Sequence, residues 1–261
     1  MKPRIAIPIP NSIKPDYAMR ALPQYEHAIR EAGGEPVIID VTAPSNVIAQ
    51  KVKTCDGVLL PGSPADVDPE KYGAARQPAT ADPDVLRDNA DELLLQDAYN
   101  MRKPVFGICY GMQSLNVWRT GTLDQDLPPG VNHEAGRAVI EAHQVAIDPQ
   151  SKLAIILKSA GALPSDLAPE ITVNSSHHQA AEILGDGLRL VAWSPTDKVK
   201  EAAEGTDDDH FVLCVQWHPE RTYDGDLASR SLFQAFIRAA AEWHKRLAQK
   251  QQDFESIPSK H

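Results

Sequence analysis

Short apolar runs alternate with amphipathic stretches along the first half of the chain. Arg4–Ile9 reads as a first strand. Asp16–Gly33 carries Ala18, Leu22, Tyr25 and Ile29 at helical spacing and stops at Gly33-Gly34, a helix-end signal. Glu35–Asp40 is a second strand and Ser45–Lys53 a short helix. Gly57–Leu60 is a strand that runs into Pro61-Gly62. Arg87–Arg102 is helical, with Leu93, Leu94, Ala98 and Met101 as its stripe. Pro104–Cys109 is a buried-type strand, and Met112–Arg119 the helix after it. Strands alternating with helices imply right-handed crossovers and a mostly parallel sheet.

After Gly121 the pattern changes. Ala138–Ile147, Ile171–Asn174, Leu188–Trp193 and Phe211–Trp217 read as strands joined by short turns, and Ala228–Leu247 as a closing helix. The predicted class is α/β: a mostly parallel central sheet flanked by helices, a flavodoxin-like three-layer sandwich with additional antiparallel strands. One domain over 1–249 with a polar, fraying tail over 250–261 is expected. Ser63–Leu86 is longer than the roughly 12–15 residues usual for a loop without function. It follows a strand's carboxyl end, where open α/β sheets place ligands. Five of the chain's 21 prolines fall between Pro61 and Pro83, which suits a fixed pocket wall better than a swinging lid.

Composition narrows the function classes. The 261 residues are 42% hydrophobic and 24% charged, a globular balance, with a net charge of −10. Such acidity argues against a general nucleic-acid binder or a basic membrane-surface helix. No apolar run reaches the roughly 18 residues of a membrane span. Three cysteines do not make a disulfide framework, and a cytoplasmic setting is expected.

Those cysteines are not alike. Gly107-Ile108-Cys109-Tyr110-Gly111 ends a strand and opens a helix. A nucleophile on such a sharp turn is crowded, so the residues two away on either side must be small. The helix N-terminus favours negative charge on the sulfur. Cys55 and Cys214 sit in strands without a glycine turn and read as inert core thiols. A cysteine nucleophile needs a base, and the base an orienter. His218-Pro219-Glu220 supplies both: His218 as base and then acid, Glu220 as orienter, on an extended backbone that points the two to one side. The Tyr110 N–H is one candidate oxyanion donor. The Ser63 N–H is the second, with Gly62 allowing close approach, whereas Pro64 has no N–H to offer.

Together these residues resemble the class I glutamine amidotransferase superfamily, through Gly107–Gln113 and His218–Glu220. Pro61–Pro69 with Tyr72-Gly73, Arg87-Asp88 with Glu92, Gly121–Leu127 and above all Val173–Gln179 (VNSSHHQ) resemble its γ-glutamyl-γ-aminobutyrate hydrolase branch. The resemblance runs from about Arg4 to Ala240. It implies hydrolysis of a small-molecule γ-glutamyl amide through a γ-glutamyl thioester, in polyamine catabolism, with no cofactor. It also implies that Gln113 binds the glutamyl group and that Asn174, Ser175, His177, His178 and Gln179 lie near the pocket. Tyr110 departs from the branch's arginine beside the nucleophile, and Arg221 from a frequent tryptophan.

Other constellations are weaker. Adjacent His177 and His178 point to opposite faces of an extended segment, so a shared ion with His133 and His143 is not expected, and no metal is assigned. Asp207-Asp208-Asp209 reads as a solvated hairpin loop. Asp66 and Asp68 are candidates either for a substrate amine or for turn bonds. Arg87 is one candidate among several for a substrate carboxylate. A glutaminase subunit feeding ammonia to a separate synthetase is the alternative function, and a silent binding protein a third. No nucleic-acid or membrane partner is expected, and a homodimer is left open.

Overall fold

A computed structural model describes residues 1–163 and 169–255. Its main sheet has nine strands: β1 (Arg4–Pro8), β2 (Glu35–Ile39), β3 (Gly57–Leu60), β4 (Val105–Ile108), β6 (His143–Ile147), β7 (Glu170–Val173), β9 (Leu188–Trp193), β10 (Lys200–Gly205) and β11 (Val212–Val215). Their order is β2-β1-β3-β4-β11-β10-β9-β6-β7. The β2-β1-β3-β4-β11 half is parallel throughout, the flavodoxin-like order. The other half is antiparallel. A small ribbon pairs β5 (Leu123-Asp124) with β8 (Ala180-Ala181).

The strand side chains alternate between two cores, as a period of two requires. Ile5, Ile7, Leu59, Phe106, Leu213 and Val215 face α1 (Pro15–Glu31) and α7 (Leu227–Glu255). Phe106 meets Phe233 edge to face at 5.3 Å, a pairing of about 0.5–1.5 kcal/mol. Ala6, Val58, Leu60, Val105 and Cys214 face α2 (Ser45–Lys53), α3 (Val85–Met101) and α4 (Tyr110–Trp118). Cys214 is therefore core, as its sequence context indicates.

Several boundaries differ from expectation. Only His143–Ile147 of the expected Ala138–Ile147 strand pairs with neighbours. The apolar pattern does not predict the helix α5 (Lys152–Ser159) or strand β10; Ser151 caps α5 through the Ala154 N–H. The closing helix continues past Leu247 to Glu255, and 256–261 of the expected tail lie outside the described residues. Asp207–Asp209 do form the turn between β10 and β11.

The segment after β3 is tied down along its length. Pro69–Tyr72 forms a 3-10 turn capped by Asp68. Asp66 accepts the Ala81 N–H, and Gln125 reaches in to hold Gln77, Thr80 and Ala75. Asp84 caps α3 and accepts from Ser12. Arg87, at 0% exposure, holds Asp91 and the carbonyls of Pro10 and Pro61. It locks β1 and β3 at their carboxyl ends and does not line the cleft beside Cys109, so it is not placed to hold a substrate carboxylate there.

Candidate active site

The Cys109 turn is built by β4 running into α4. Cys109 takes φ 52°, a conformation that costs a non-glycine residue about 1–3 kcal/mol. Hydrogen bonds hold it there. Its N–H donates to the Val215 carbonyl at 2.8 Å, and its own carbonyl accepts from Met112 and Gln113. A Cβ at Gly111 would lie 2.1 Å from the Leu60 carbonyl oxygen, and one at Gly107 would lie 2.8 Å from Cys214 Sγ. Both small residues are required by sterics.

His218 follows β11. Its Nδ1–H donates to Glu220 Oε1 at 2.8 Å, and Cys109 is among the neighbours that favour charge on the ring. The backbone here is not extended as expected. Pro219 begins one helical turn (α6, Pro219–Thr222), which suits proline at a helix's first position. The turn, rather than strand alternation, brings the Glu220 carboxylate back to the ring. Burial opposes charge on both groups. It pushes the His218 imidazole down, but Glu220 and Cys109 outweigh it and hold the imidazole above its ordinary value. Burial likewise pushes Glu220 up, and His218 with Arg221 bring it below its ordinary value.

The surrounding residues divide into cleft and support. A cleft of about 100 Å³ is lined by Cys109, Gln113, Ser63 and Gln179, with His177 and His178. Gln113 Nε2 donates to the Gln179 carbonyl at 2.9 Å. His178 sits against Asp66 at 3.1 Å, and that hydrogen bond raises its pKa. Asp66 makes the loop bond considered for it and also lines the cleft. Asn174, Ser175 and Gly62 act from behind. Asn174 clamps the His218 main chain at two points, accepting its N–H at 2.9 Å and donating to its carbonyl at 2.8 Å. Ser175 donates to the His133 carbonyl at 2.7 Å. A Cβ on Gly62 would come within 2.8 Å of the His218 ring, so Gly62 makes room for that ring; its N–H is taken by Tyr25 Oη. The Tyr110 side chain turns inward to Asp88 and stacks under Arg87, leaving its N–H at the cleft end of α4. Glu134 and Ser176 also line the cleft; Ser176 lies within the VNSSHHQ block, whereas no sequence signal marks Glu134.

A larger cavity of about 380 Å³ lies between β7 and α6, lined by Trp217, Arg221 and Ile140. It does not touch Cys109. It offers more room, but the reactive groups converge in the smaller cleft. No described helix is long and apolar enough to cross a membrane.

His177 and His178 do diverge, as expected. Yet His177 does not stand alone: it meets His133, His143 and Glu201, whose ligand-type atoms lie within 4.8 Å of one another. The expectation that these histidines stay apart is corrected on this point. Spacing along the chain weighs only neighbours in sequence, and Glu201 comes from a strand that the apolar pattern does not predict.

The three-layer sheet, the glycine-flanked cysteine elbow and the His-Pro-Glu turn define a class I glutamine amidotransferase-like protein. The pattern of the Peptidase C26 family matches residues 10–220, and the chain belongs to that family. It is 35% identical over 223 residues to a γ-glutamyl-γ-aminobutyrate hydrolase of Escherichia coli O157:H7, covering 83% of this chain and 84% of that one. It is 31% identical over 220 residues to protein NtpR of Enterococcus hirae, covering 82% and 87%. In fold it resembles a Thermoplasma acidophilum protein provisionally assigned as a GMP synthase component. That match has a TM-score of 0.63 at 16% identity, over 95% of this chain and 98% of that one.

Proposed function

We propose that this chain hydrolyses γ-glutamyl amides of the γ-glutamyl-γ-aminobutyrate kind through a γ-glutamyl thioester on Cys109. One observation carries the reading: a cysteine held at φ 52° neighbours a buried histidine closely enough to favour its charged form, and that histidine is bonded to a buried glutamate. The relatives' γ-glutamyl-γ-aminobutyrate hydrolase activity supports the substrate class.

Cys109 Sγ attacks the amide carbonyl carbon, and its proton resides on His218 Nε2. The oxygen's developing charge meets the Tyr110 and Ser63 N–H groups, donors of the kind worth about 3–4 kcal/mol each. His218 then protonates the nitrogen, the C–N bond breaks and the amine leaves. Water attacks the thioester with His218 as base, the C–S bond breaks, and glutamate departs. Glu220 stays ionised and stabilises the imidazolium throughout. Gln113 and Gln179 supply amide groups for the glutamyl end, and His178 is the positively charged candidate in the cleft.

The test is glutamate release from γ-glutamyl-γ-aminobutyrate and from glutamine, each with no other protein added. Turnover of the former without a partner is expected. Activity on glutamine alone, rising when a synthetase is supplied, would overturn the reading in favour of a glutaminase subunit.

A further inference from the structure

His133, His143, His177 and Glu201 come from four separate parts of the chain. His133 lies before β6, His143 opens β6, His177 follows β7, and Glu201 stands in β10. Glu201 is fully buried, and the three imidazole side chains are nearly so.

The hydrogen bonds around this cluster all run outward. His133 Nε2 is bonded to Asp197 Oδ2 at 3.0 Å, His143 Nδ1 to the Gln144 carbonyl at 3.1 Å, and His177 Nδ1 to the Gln179 carbonyl at 3.0 Å. Each outer partner is an acceptor, so each of those nitrogens carries a hydrogen, and in the neutral form of each ring the other nitrogen does not. The opposite nitrogens, His133 Nδ1, His143 Nε2 and His177 Nε2, then present lone pairs to the centre. Both Glu201 oxygens point there as well, and none of these inner atoms has a hydrogen-bond partner. A buried group of acceptors facing one another needs positive charge between them, either a proton or a metal ion.

The spacing identifies what kind. Glu201 Oε1 lies 3.3 Å from His133 Nδ1, 3.5 Å from His143 Nε2 and 3.9 Å from His177 Nε2. Donors about 2.0–2.1 Å from a tetrahedral zinc ion stand about 3.3 Å from one another. The outward pattern, each ligating imidazole held by a carboxylate or a carbonyl on its far nitrogen, is the usual support of a metal-bound histidine.

We propose that His133 Nδ1, His143 Nε2, His177 Nε2 and one Glu201 oxygen bind a divalent transition-metal ion of the zinc type in a closed, four-coordinate site. Four protein ligands leave no position for water, so the ion is structural. It would clip the 133 loop and the 177 turn, already joined through the His177 N–H to the His133 carbonyl at 2.9 Å, onto β6 and β10. The next residues along, His178 and Gln179, form one wall of the catalytic cleft.

The test uses the full chain, stripped with a chelator and reloaded with zinc or cobalt alone. One metal ion per chain should survive gel filtration, cobalt should give the intense visible bands of four-coordinate Co²⁺, and zinc should raise the thermal midpoint. Glu201→Gln and His143→Ala should each cut the retained metal at least about tenfold. Cys109→Ala should retain it in full, with an unchanged cobalt spectrum. The proposal is overturned if the parent chain keeps no stoichiometric metal, since a proton then fills the centre, or if Cys109→Ala abolishes uptake. These readouts do not depend on the reaction proposed above. Should either ligand variant fail to fold, the parent's cobalt spectrum and metal count still decide.

Discussion

Two buried histidine–glutamate arrangements stand in this fold, and they are wired in opposite senses. At His218 the ring gives a hydrogen to Glu220 at 2.8 Å, and its other side serves Cys109. At Glu201 three rings turn their hydrogens away and face the carboxylate with lone pairs. The first arrangement can pass a proton in and out, because its charged partner is already satisfied. The second cannot take part in such a relay without first changing which nitrogen carries hydrogen. Residue types alone do not distinguish them; the direction of each hydrogen bond does.

The sharpest way to break the comparison is at the sulfur. Cys109→Ala should lower kcat/KM at least about 10⁴-fold while the thermal midpoint stays near that of the parent. Retention of more than a few per cent of activity would remove the Cys109–His218–Glu220 mechanism altogether.

Glu220→Gln should act next most strongly, lowering kcat about 10²–10⁴-fold. It also has a signature in pH. Burial pushes His218 down while Glu220 and Cys109 hold it above its ordinary 6.5, so losing the carboxylate moves the His218-dependent limb of the kcat/KM profile to lower pH. Stability follows the same linkage. The raised His218 stabilises the fold fully below 6.5, and its contribution is lost as pH rises through the folded value. Glu220 lies below its ordinary 4.5 despite burial, so its contribution is present above 4.5 and is lost as pH falls through the folded value. The parent's stability advantage over Glu220→Gln should therefore be greatest between 4.5 and 6.5. Urea midpoints across that range check it; a flat difference would mean the pair is not charged in the fold.

This contrast also explains what is legible in the chain. His218 and Glu220 are two residues apart, flanking a proline, and the glycines around Cys109 announce a tight turn. Short-range chemistry of that kind is visible in one dimension. The parallel half of the sheet is visible for a related reason: each strand is an apolar run closed by a turn or helix signal. The antiparallel half is legible only in part: β6, β7 and β9 overlap stretches read as strands, and β10 does not. Strand β10 reads Lys-Glu-Ala-Ala-Glu-Gly, with no branched or aromatic residue, and buries both Glu201 and Glu204. Glu204 has Arg189 as its partner, while Glu201 has the three imidazoles. Neither partnership is written near the strand. Nothing in sequence spacing could reveal that His177 belongs with His143 while His178 belongs with Asp66.

The cysteines allow a milder test of the same contrast between poised and inert groups. Burial raises the Cys55 thiol and pushes Cys214 up to about 12, whereas Cys109 lies at a helix N-terminus beside His218. Iodoacetamide should label Cys109 at least about 10²-fold faster than either in the folded chain, followed by peptide mass mapping. Equal rates would show that the elbow does not activate its sulfur.

The smallest effect concerns Asn174, which the sequence resemblance places near substrate and the structure places behind the base. Its amide grips the main chain of His218 on both sides. Asn174→Ala leaves a buried N–H and carbonyl of that residue without partners, a cost of about 1–3 kcal/mol. Some of that cost appears as lost stability. The remainder should appear as a kcat about tenfold lower, because the imidazole no longer stands squarely over the sulfur. KM should hardly change, since no atom of Asn174 is needed by the substrate. A variant whose KM rises while kcat holds would return Asn174 to the pocket. It would also mean that the backbone clamp on His218 is incidental to catalysis.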